Sequence, residues 1–553
     1  MTKIKYLFFT LVLMGSLQTG TYGQANPHEL VIQDFNASGH YLNNDILGDS
    51  TTTGARKDPD RVYVLQRGGI YFINTSIRND NWMLRIKAAD GVGRKPAIYA
   101  YKNTTTAAYP AQLVEVRGNL SLKNLALIGW SEFFPTEISL NISILVYVTG
   151  IGTSIDVDSC VLSAAKGAHI LVQSGTHRLR VTNTIFAQLG NLFATNMGNG
   201  RPIDMRTTSI DTLFVQNCTM LDGTDRTIRH YSSTAGIDVL VFDHNTVANQ
   251  MSMHGCLALG WVGKKITITN NVFVDNFALG NDSTDAVRLA EMGDSNERGR
   301  SGAFRMAFVS STPNDTTQWV VRNNFYSVTP ELQAWYNTHS SSGIGNLIPL
   351  TWHISKRIGA DSVNAFKKET ITFTKPTKNL VPMCTYYWDP NGGNKSKVQT
   401  NFSSAVDFYR PQWPYYLDTL DLSYQTAAQA YTGASAGYPA GDLNWFPSKK
   451  AGWLLTDVEG TTASVPAAFE LCQNYPNPFN PSTTLQYSVS KFGRVVLEVF
   501  NILGQSVALL VDEELAPGIY KTTFDASTLS SGVYLYQLKA GDFIQTQKMI
   551  FIK

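Results

Sequence analysis

A short strand, a tight corner and a second short strand recur along this chain, and that repeat constrains its fold more than any other feature. The clearest copy is Lys265-Ile-Thr-Ile-Thr-Asn-Asn-Val-Phe-Val-Asp-Asn276, where apolar residues alternate with Thr, two Asn follow, and an apolar run resumes at Val272. Period-two alternation marks a strand and paired Asn mark a turn. Val181-Thr-Asn183-Thr-Ile-Phe186, Val215-Gln-Asn217-Cys-Thr-Met220, Val321-Arg-Asn323-Asn-Phe-Tyr326 and Leu122-Lys-Asn124-Leu-Ala-Leu127 repeat it. Two further copies put Ser159 and His244 at the corner. The corners at 124, 159, 183, 217, 244, 270 and 323 are spaced 24 to 53 residues apart. An irregular period in that range belongs to a solenoid of stacked units, with the surplus residues in loops.

One strand-corner-strand unit cannot bury its apolar face alone. Stacked about 4.8 Å apart, such units form parallel sheets around one long core. The corner Asn side chains are expected to bond to those above and below, in one column. A third strand should precede each pair, at Gln112–Val116, Ile144–Val148, His169–Val172, Ile203–Arg206, Ile228–Tyr231, Cys256–Leu259 and Phe304–Phe308. The competing reading is a β-sandwich with Asn-rich turns, but hairpins favour Asn-Gly pairs and these corners hold no Gly. Over roughly residues 60 to 330 the pattern resembles the right-handed parallel β-helix proteins, which include pectate-lyase-like enzymes. That resemblance is specific for fold and not for activity.

The amino terminus reads Met1-Thr-Lys-Ile-Lys-Tyr-Leu-Phe-Phe-Thr-Leu-Val-Leu-Met-Gly15, a basic start and an apolar run too short to span a membrane. Small residues precede Gln24, so residues 1–23 are expected to be a secretory signal peptide. No Cys stands near the cleavage point, which argues against a lipid anchor. The five Cys (160, 218, 256, 384 and 472) are odd in number and widely spaced, against both a disulfide framework and a zinc site. Cys160 and Cys218, each just after a corner, are expected to be small core residues. Charged residues make up only 16% of the chain and its net charge is +2, so it carries no nucleic-acid footprint. A monomer is expected.

Residues 24–330 are assigned to the β-helix with an amino-terminal cap, because a solenoid end exposes a strand edge. Residues 331–455, rich in Trp, Tyr and Pro, are assigned to the last rungs and a carboxy-terminal cap. Gly441-Asp-Leu-Asn-Trp445 within them resembles an ending seen in secreted bacterial β-helix proteins. A small, polar linker at 456–469 leads to the tail at 470–553. That tail begins Asn474-Tyr-Pro-Asn-Pro-Phe-Asn-Pro-Ser-Thr-Thr and continues through Val495-Val-Leu-Glu-Val-Phe-Asn-Ile-Leu-Gly-Gln505, Ser531-Gly-Val-Tyr-Leu-Tyr-Gln-Leu538 and Lys548-Met-Ile-Phe-Ile-Lys553. Alternating strands with Gly-containing turns say small β-sandwich. The tail resembles the type A sorting domain of the type IX secretion system. The resemblance implies engagement of that machinery, export across the outer membrane, and release or attachment at the cell surface after the tail is removed.

No P-loop, zinc motif, Gly-x-Ser-x-Gly or dinucleotide fingerprint stands in a fitting context. A β-helix offers another kind of site, made of outward residues aligned across rungs. With Ile203, Met205 and Ile228 facing in, Asp204, Arg206, Arg229 and Tyr231 face out. Adjacent rungs then place Asp204 beside Arg229 and Arg206 beside Tyr231, with Arg305 outward two rungs further on. Uronate β-elimination needs a cation on the sugar carboxylate and a base for the neighbouring C–H proton. Arg206 or Arg229 fits the first role and Tyr231 or His230 the second, with Asp204 and Arg305 as substrate contacts. Lyases of the resembled fold often use calcium. Here Asp282, Asp285, Glu291 and Asp294 form only a loose acidic set, so calcium stays open and no metal ligand is assigned. A second class of function, a non-catalytic adhesin or glycan-binding protein, fits the same residues. A screen for unsaturated products from acidic polysaccharides separates the two.

Overall fold

The computed structural model describes residues 27–456 and 469–553, apart from 130–141, 190–194, 197–199, most of 277–315, 400–419 and a few shorter gaps. The residues expected to form a signal peptide, and most of those expected to form the linker, lie outside the described residues. The chain divides into two compact units at Lys450.

The first unit is a parallel β-helix of three long sheets. Sheet I stacks ten strands from Glu29–Ile32 to Gln318–Arg322, sheet II eight from Ile77–Asn79 to Ala307–Phe308, and sheet III ten from Ile70–Ile73 to Phe366–Lys368. Each rung runs from sheet II to sheet I to sheet III, as in Gln112–Val116, Leu120–Lys123 and Ala126–Ile128, and pairs in parallel with the next. The third strands expected from the repeat lie in sheet II, the last of them over its described residues Ala307–Phe308. Inward residues such as Leu122, Val157, Val181, Val215, Phe242, Ile268 and Phe273 form one continuous core. Both ends are covered. Leu42 and Ile46 of the helix Leu42–Gly48 enter that core at one end, and Leu350, Ile354 and Ala365 enter it at the other.

Backbone geometry explains the corners. Asn124, Ser159, Asn183, Asn217, His244, Asn270 and Asn323 all adopt left-handed conformations, with φ between 49° and 59°. Asn, and to a lesser degree His, tolerates that region where most side chains clash. The ladder of stacked side chains, however, is displaced by one residue from the expected column. Asn271 Nδ2 donates to Asn324 Oδ1 (2.8 Å), Asn245 Nδ2 donates to Asn271 Oδ1 (3.1 Å), and all three residues are fully buried. Their Oδ1 atoms also accept the backbone N–H of the same position one rung earlier, at Asn271, Asn245 and Cys218. The corner residues bond mainly to a neighbouring acid instead: Asn183 Nδ2 to Asp158 (2.8 Å) and Asn270 Nδ2 to Asp243 (2.8 Å). Among the described corner residues, only the Asn323 Nδ2 to Asn270 Oδ1 bond (3.2 Å) runs along the expected column. Burial works against the Asp243 carboxylate, but His244 and the donors Gln216 and Thr269 outweigh it and hold its pKa at about 2.

A second left-handed position recurs five residues after the corner, at Ala164, Asp222, Asn249 and Asp275. It kinks the strands of sheet III, as a bulge does. Cys160 and Cys218 are buried free thiols, as expected.

Residues 331–455 add one further strand to sheet III, Phe366–Lys368, and hold the end-capping helices and a return segment that runs back along that sheet. From 435 to 450 that segment follows the corner column. Ser435 N–H donates to Asn270 Oδ1 (3.0 Å), Asp442 N–H to Thr246 Oγ1 (2.9 Å), Asn444 Nδ2 to the Asn217 carbonyl (2.9 Å), and Lys450 Nζ to Asn183 Oδ1 (2.6 Å). Gly441, at φ +84°, passes so close that a Cβ would lie 2.6 Å from Thr246 Oγ1.

Asp442 is buried, and its Oδ2 accepts from Thr219 Oγ1 (2.7 Å). Burial raises its pKa to about 6, so the folded state binds a proton between about pH 4 and 6 that the unfolded chain lacks. Its contribution is therefore most favourable below about pH 4 and is lost as pH rises through 6. Asp442→Asn should stabilise the protein by roughly 2–3 kcal/mol more at pH 8 than at pH 4.5. Denaturant titrations of both proteins at the two pH values check this, and an equal difference at both would refute it.

The second unit is an antiparallel sandwich. A three-stranded sheet, Glu470–Leu471, Ser482–Val489 and Gly518–Asp525, faces a four-stranded one, Gly493–Asn501, Ser506–Leu515, Gly532–Ala540 and Phe543–Phe551. Leu485, Tyr487, Leu497, Val499, Tyr536, Leu538 and Met549 fill its core. Asn474 is anchored there: its N–H donates to Tyr536 Oη (2.7 Å) and its Nδ2 to Thr483 Oγ1 (2.9 Å).

Candidate functional site

The outward face of sheet II carries the ionised residues singled out by register. Ile203, Met205 and Ile228 point into the core, which turns Asp204 and Arg229 outward, and these two are paired neighbours across rungs. Asp204 accepts from Arg229 Nε (2.8 Å) and Nη2 (2.5 Å), the two-pronged geometry that suits a guanidinium and a carboxylate. Arg206 departs from the expected register. It has φ 47°, the ladder shifts between Asp204 and Arg206, and it stands opposite His230 rather than Tyr231. The Tyr231 N–H donates to the Arg206 carbonyl (2.9 Å), so the two stay adjacent through the backbone.

Three residues join this cluster that the outward-facing pattern did not select. Arg201 reaches Asp225 through Nε (2.7 Å) and Asp204 through Nη1 (3.3 Å), and Arg226 Nε lies 3.4 Å from Asp225. Arg201 opens the strand Arg201–Arg206, three residues before Asp204, and Arg226 lies in the connection three residues before Arg229. Burial draws the Arg201 pKa down, while Asp225 pulls it back up. Among the described residues, four guanidiniums thus share two carboxylates, an excess of positive charge. Arg206 is the cation most open to solvent, with its side chain 46% exposed and Nε 3.9 Å from Asp204. Tyr231 is 47% exposed and lies under the Arg229 guanidinium, 5.5 Å from ring centre to Cζ.

His230 is placed differently from a surface base. It is fully buried, its Nε2 donates to the Thr208 carbonyl (2.9 Å), and Gly260 approaches so closely that a Cβ would overlap Nδ1. Burial lowers its pKa, so it is neutral at pH 7. Arg305 lies outside the described residues, as do Asp285, Glu291 and Asp294. Asp282 is buried against Lys395 Nζ (2.8 Å). Among the described residues no group of three His, Cys, Asp or Glu side chains is arranged to hold a metal.

Stacked parallel sheets capped at both ends, an ionised outer face and a separate carboxy-terminal sandwich define a β-helix protein with an added terminal domain. Residues 473–553 match the family described as the secretion system C-terminal sorting domain. No curated protein matches the chain in sequence. The tail directs the protein through the type IX machinery to the cell surface or beyond.

Proposed function

We propose that the protein binds an acidic polysaccharide across the outer face of sheet II. The observation that carries this is the unbalanced cluster of Arg201, Arg206, Arg226 and Arg229 around Asp204 and Asp225, with Tyr231 exposed beside it. Arg206 would meet a sugar carboxylate or sulfate, and the Tyr231 ring would pack on a sugar face. Arg229 is already engaged by Asp204 and serves to hold Tyr231 and the local charge in place.

Turnover is the second reading, favoured by Tyr231 beside a guanidinium. In uronate β-elimination the Tyr231 oxygen would take the C5 proton, the C4–C5 double bond would form as the C4–O bond breaks, and Tyr231 would return the proton to the departing oxygen. Mature protein incubated with pectate, alginate and sulfated glycans, followed by absorbance of unsaturated ends, decides between binding and lysis.

For either reading, Arg206→Ala should weaken polyanion binding about tenfold, the scale of one lost charge-assisted contact. Wild-type affinity should fall as salt rises. Unchanged, salt-independent binding in Arg206→Ala would dismiss this face.

A further inference from the structure

The kinked outer face of sheet III holds a different kind of opening. A cavity of about 230 Å³ lies between Leu221, Ala248 and Val274 on that face and Phe373 and Leu422, which come from a returning antiparallel strand pair. Asn249 and Asp275, both at the left-handed kink, line it together with Thr329, Glu331, Thr377 and Asn379. Among the described residues no Lys, Arg or His lines it.

Its polar groups are held in place. Asp275, 1% exposed, accepts from Thr329 N–H through Oδ1 (2.7 Å) and from Thr329 Oγ1 through Oδ2 (2.6 Å). Thr329 is the residue that starts the helix Pro330–Thr338, so this carboxylate fixes where Glu331, in the first turn, stands at the rim. Asn249 Nδ2 donates to Asp222 Oδ1 (3.2 Å) and to Thr377 Oγ1. Left-handed backbone at non-Gly residues is held only where surroundings over-determine it, and such positions gather at ligand sites. A gap lined by a buried carboxylate and an amide is a polar chamber rather than a dry void.

We propose that this chamber is a second glycan site, which takes one neutral sugar ring. Phe373, Leu221, Ala248 and Val274 offer an apolar wall to the C–H face of a hexose. Asn249, Thr377, Asn379 and Glu331 offer donors and acceptors to its hydroxyls. The volume lies below the roughly 300–1,000 Å³ of ordinary ligand pockets, which limits the occupant to a single ring. Asp275 and Glu331, without a cation among the lining residues, turn away uronates and sulfated sugars, the opposite preference to the sheet II face. Burial raises the Asp275 pKa to about 6, in keeping with a carboxylate screened from water.

Ligand-observed NMR on the mature full-length protein, with glucose, galactose, mannose, N-acetylglucosamine and galacturonate, tests this. At least one neutral sugar should bind with a Kd of about 1 mM, and galacturonate at least tenfold more weakly. Ala248→Leu, which fills the chamber, should abolish that binding. Glu331→Ala, at an exposed rim position, should weaken it several-fold, and it remains decisive if Ala248→Leu does not fold. Arg206→Ala should leave it unchanged, which separates this site from the polyanion face. Failure of every neutral sugar to bind, a preference for galacturonate, or binding indifferent to Glu331→Ala would overturn the proposal.

Discussion

Replacing Asn271 by leucine is expected to lower the stability of the β-helix by about 3–5 kcal/mol. Asn271 Oδ1 accepts from the Asn245 N–H (2.8 Å), and its Nδ2 donates to the Phe242 carbonyl (2.9 Å) and to Asn324 Oδ1 (2.8 Å). Leucine is bulkier and satisfies none of these groups. It strands at least the Asn245 N–H where no water reaches, and an orphaned buried group costs about 1–3 kcal/mol. The corner position behaves differently. Asn183 holds a φ of 52°, which glycine adopts freely, so Asn183→Gly should cost only the side-chain bonds to Asp158 and Lys450, about 1–2 kcal/mol. Urea unfolding followed by far-ultraviolet circular dichroism measures both. Equal losses at 183 and 271 would show that the corner, not the ladder beside it, holds the rungs together.

Deleting residues 473–553 should abolish appearance at the cell surface, an all-or-none change, while the β-helix still folds. The matched domain is the export signal, and its core of Leu485, Leu497, Tyr536 and Met549 is complete within the second unit. The β-helix core, from Ile32 to Ala365, draws on no residue of that tail. Fractionation and protease accessibility of intact cells report the location. Trypsin resistance of the retained chain reports its folding. Surface display of the truncated protein would remove the sorting role from this domain.

The rungs were legible in the sequence because two strong signals coincide there. Asn at the corner meets a backbone demand few residues satisfy, and the alternation around it sets which face is buried. The interior ladder was misplaced by one residue because Asn270-Asn271 and Asn323-Asn324 are doublets, and sequence alone does not say which member turns inward. Cys218 and Thr184, at the inward place in other rungs, carried the missing hint. The kink at Asp222, Asn249 and Asp275 was equally visible as Asp or Asn five residues past successive corners, yet lay inside runs read as plain strand. At the sheet II face, alternation placed Asp204 and Arg229 together. It did not place Arg206, since nothing in an arginine announces a left-handed backbone. Arg201, at the start of the strand, shares the parity of inward Ile203 and Met205, and Asp225 reaches the cluster from the connection before Ile228, where no periodic rule operates.

A stack whose members touch only their neighbours can fray from an end, one member at a time. Here residues 435–450 lie lengthwise along four of them and bind at Asn270, Thr246, Asn217 and Asn183. The opening of any one of these turns is thereby tied to the release of the others, so local fraying gives way to loss of the whole group at once. Because this lashing comes from the last part of the unit to be synthesised, at sequence distances of 165 to 267 residues from its partners, it can close only after every turn beneath it has formed.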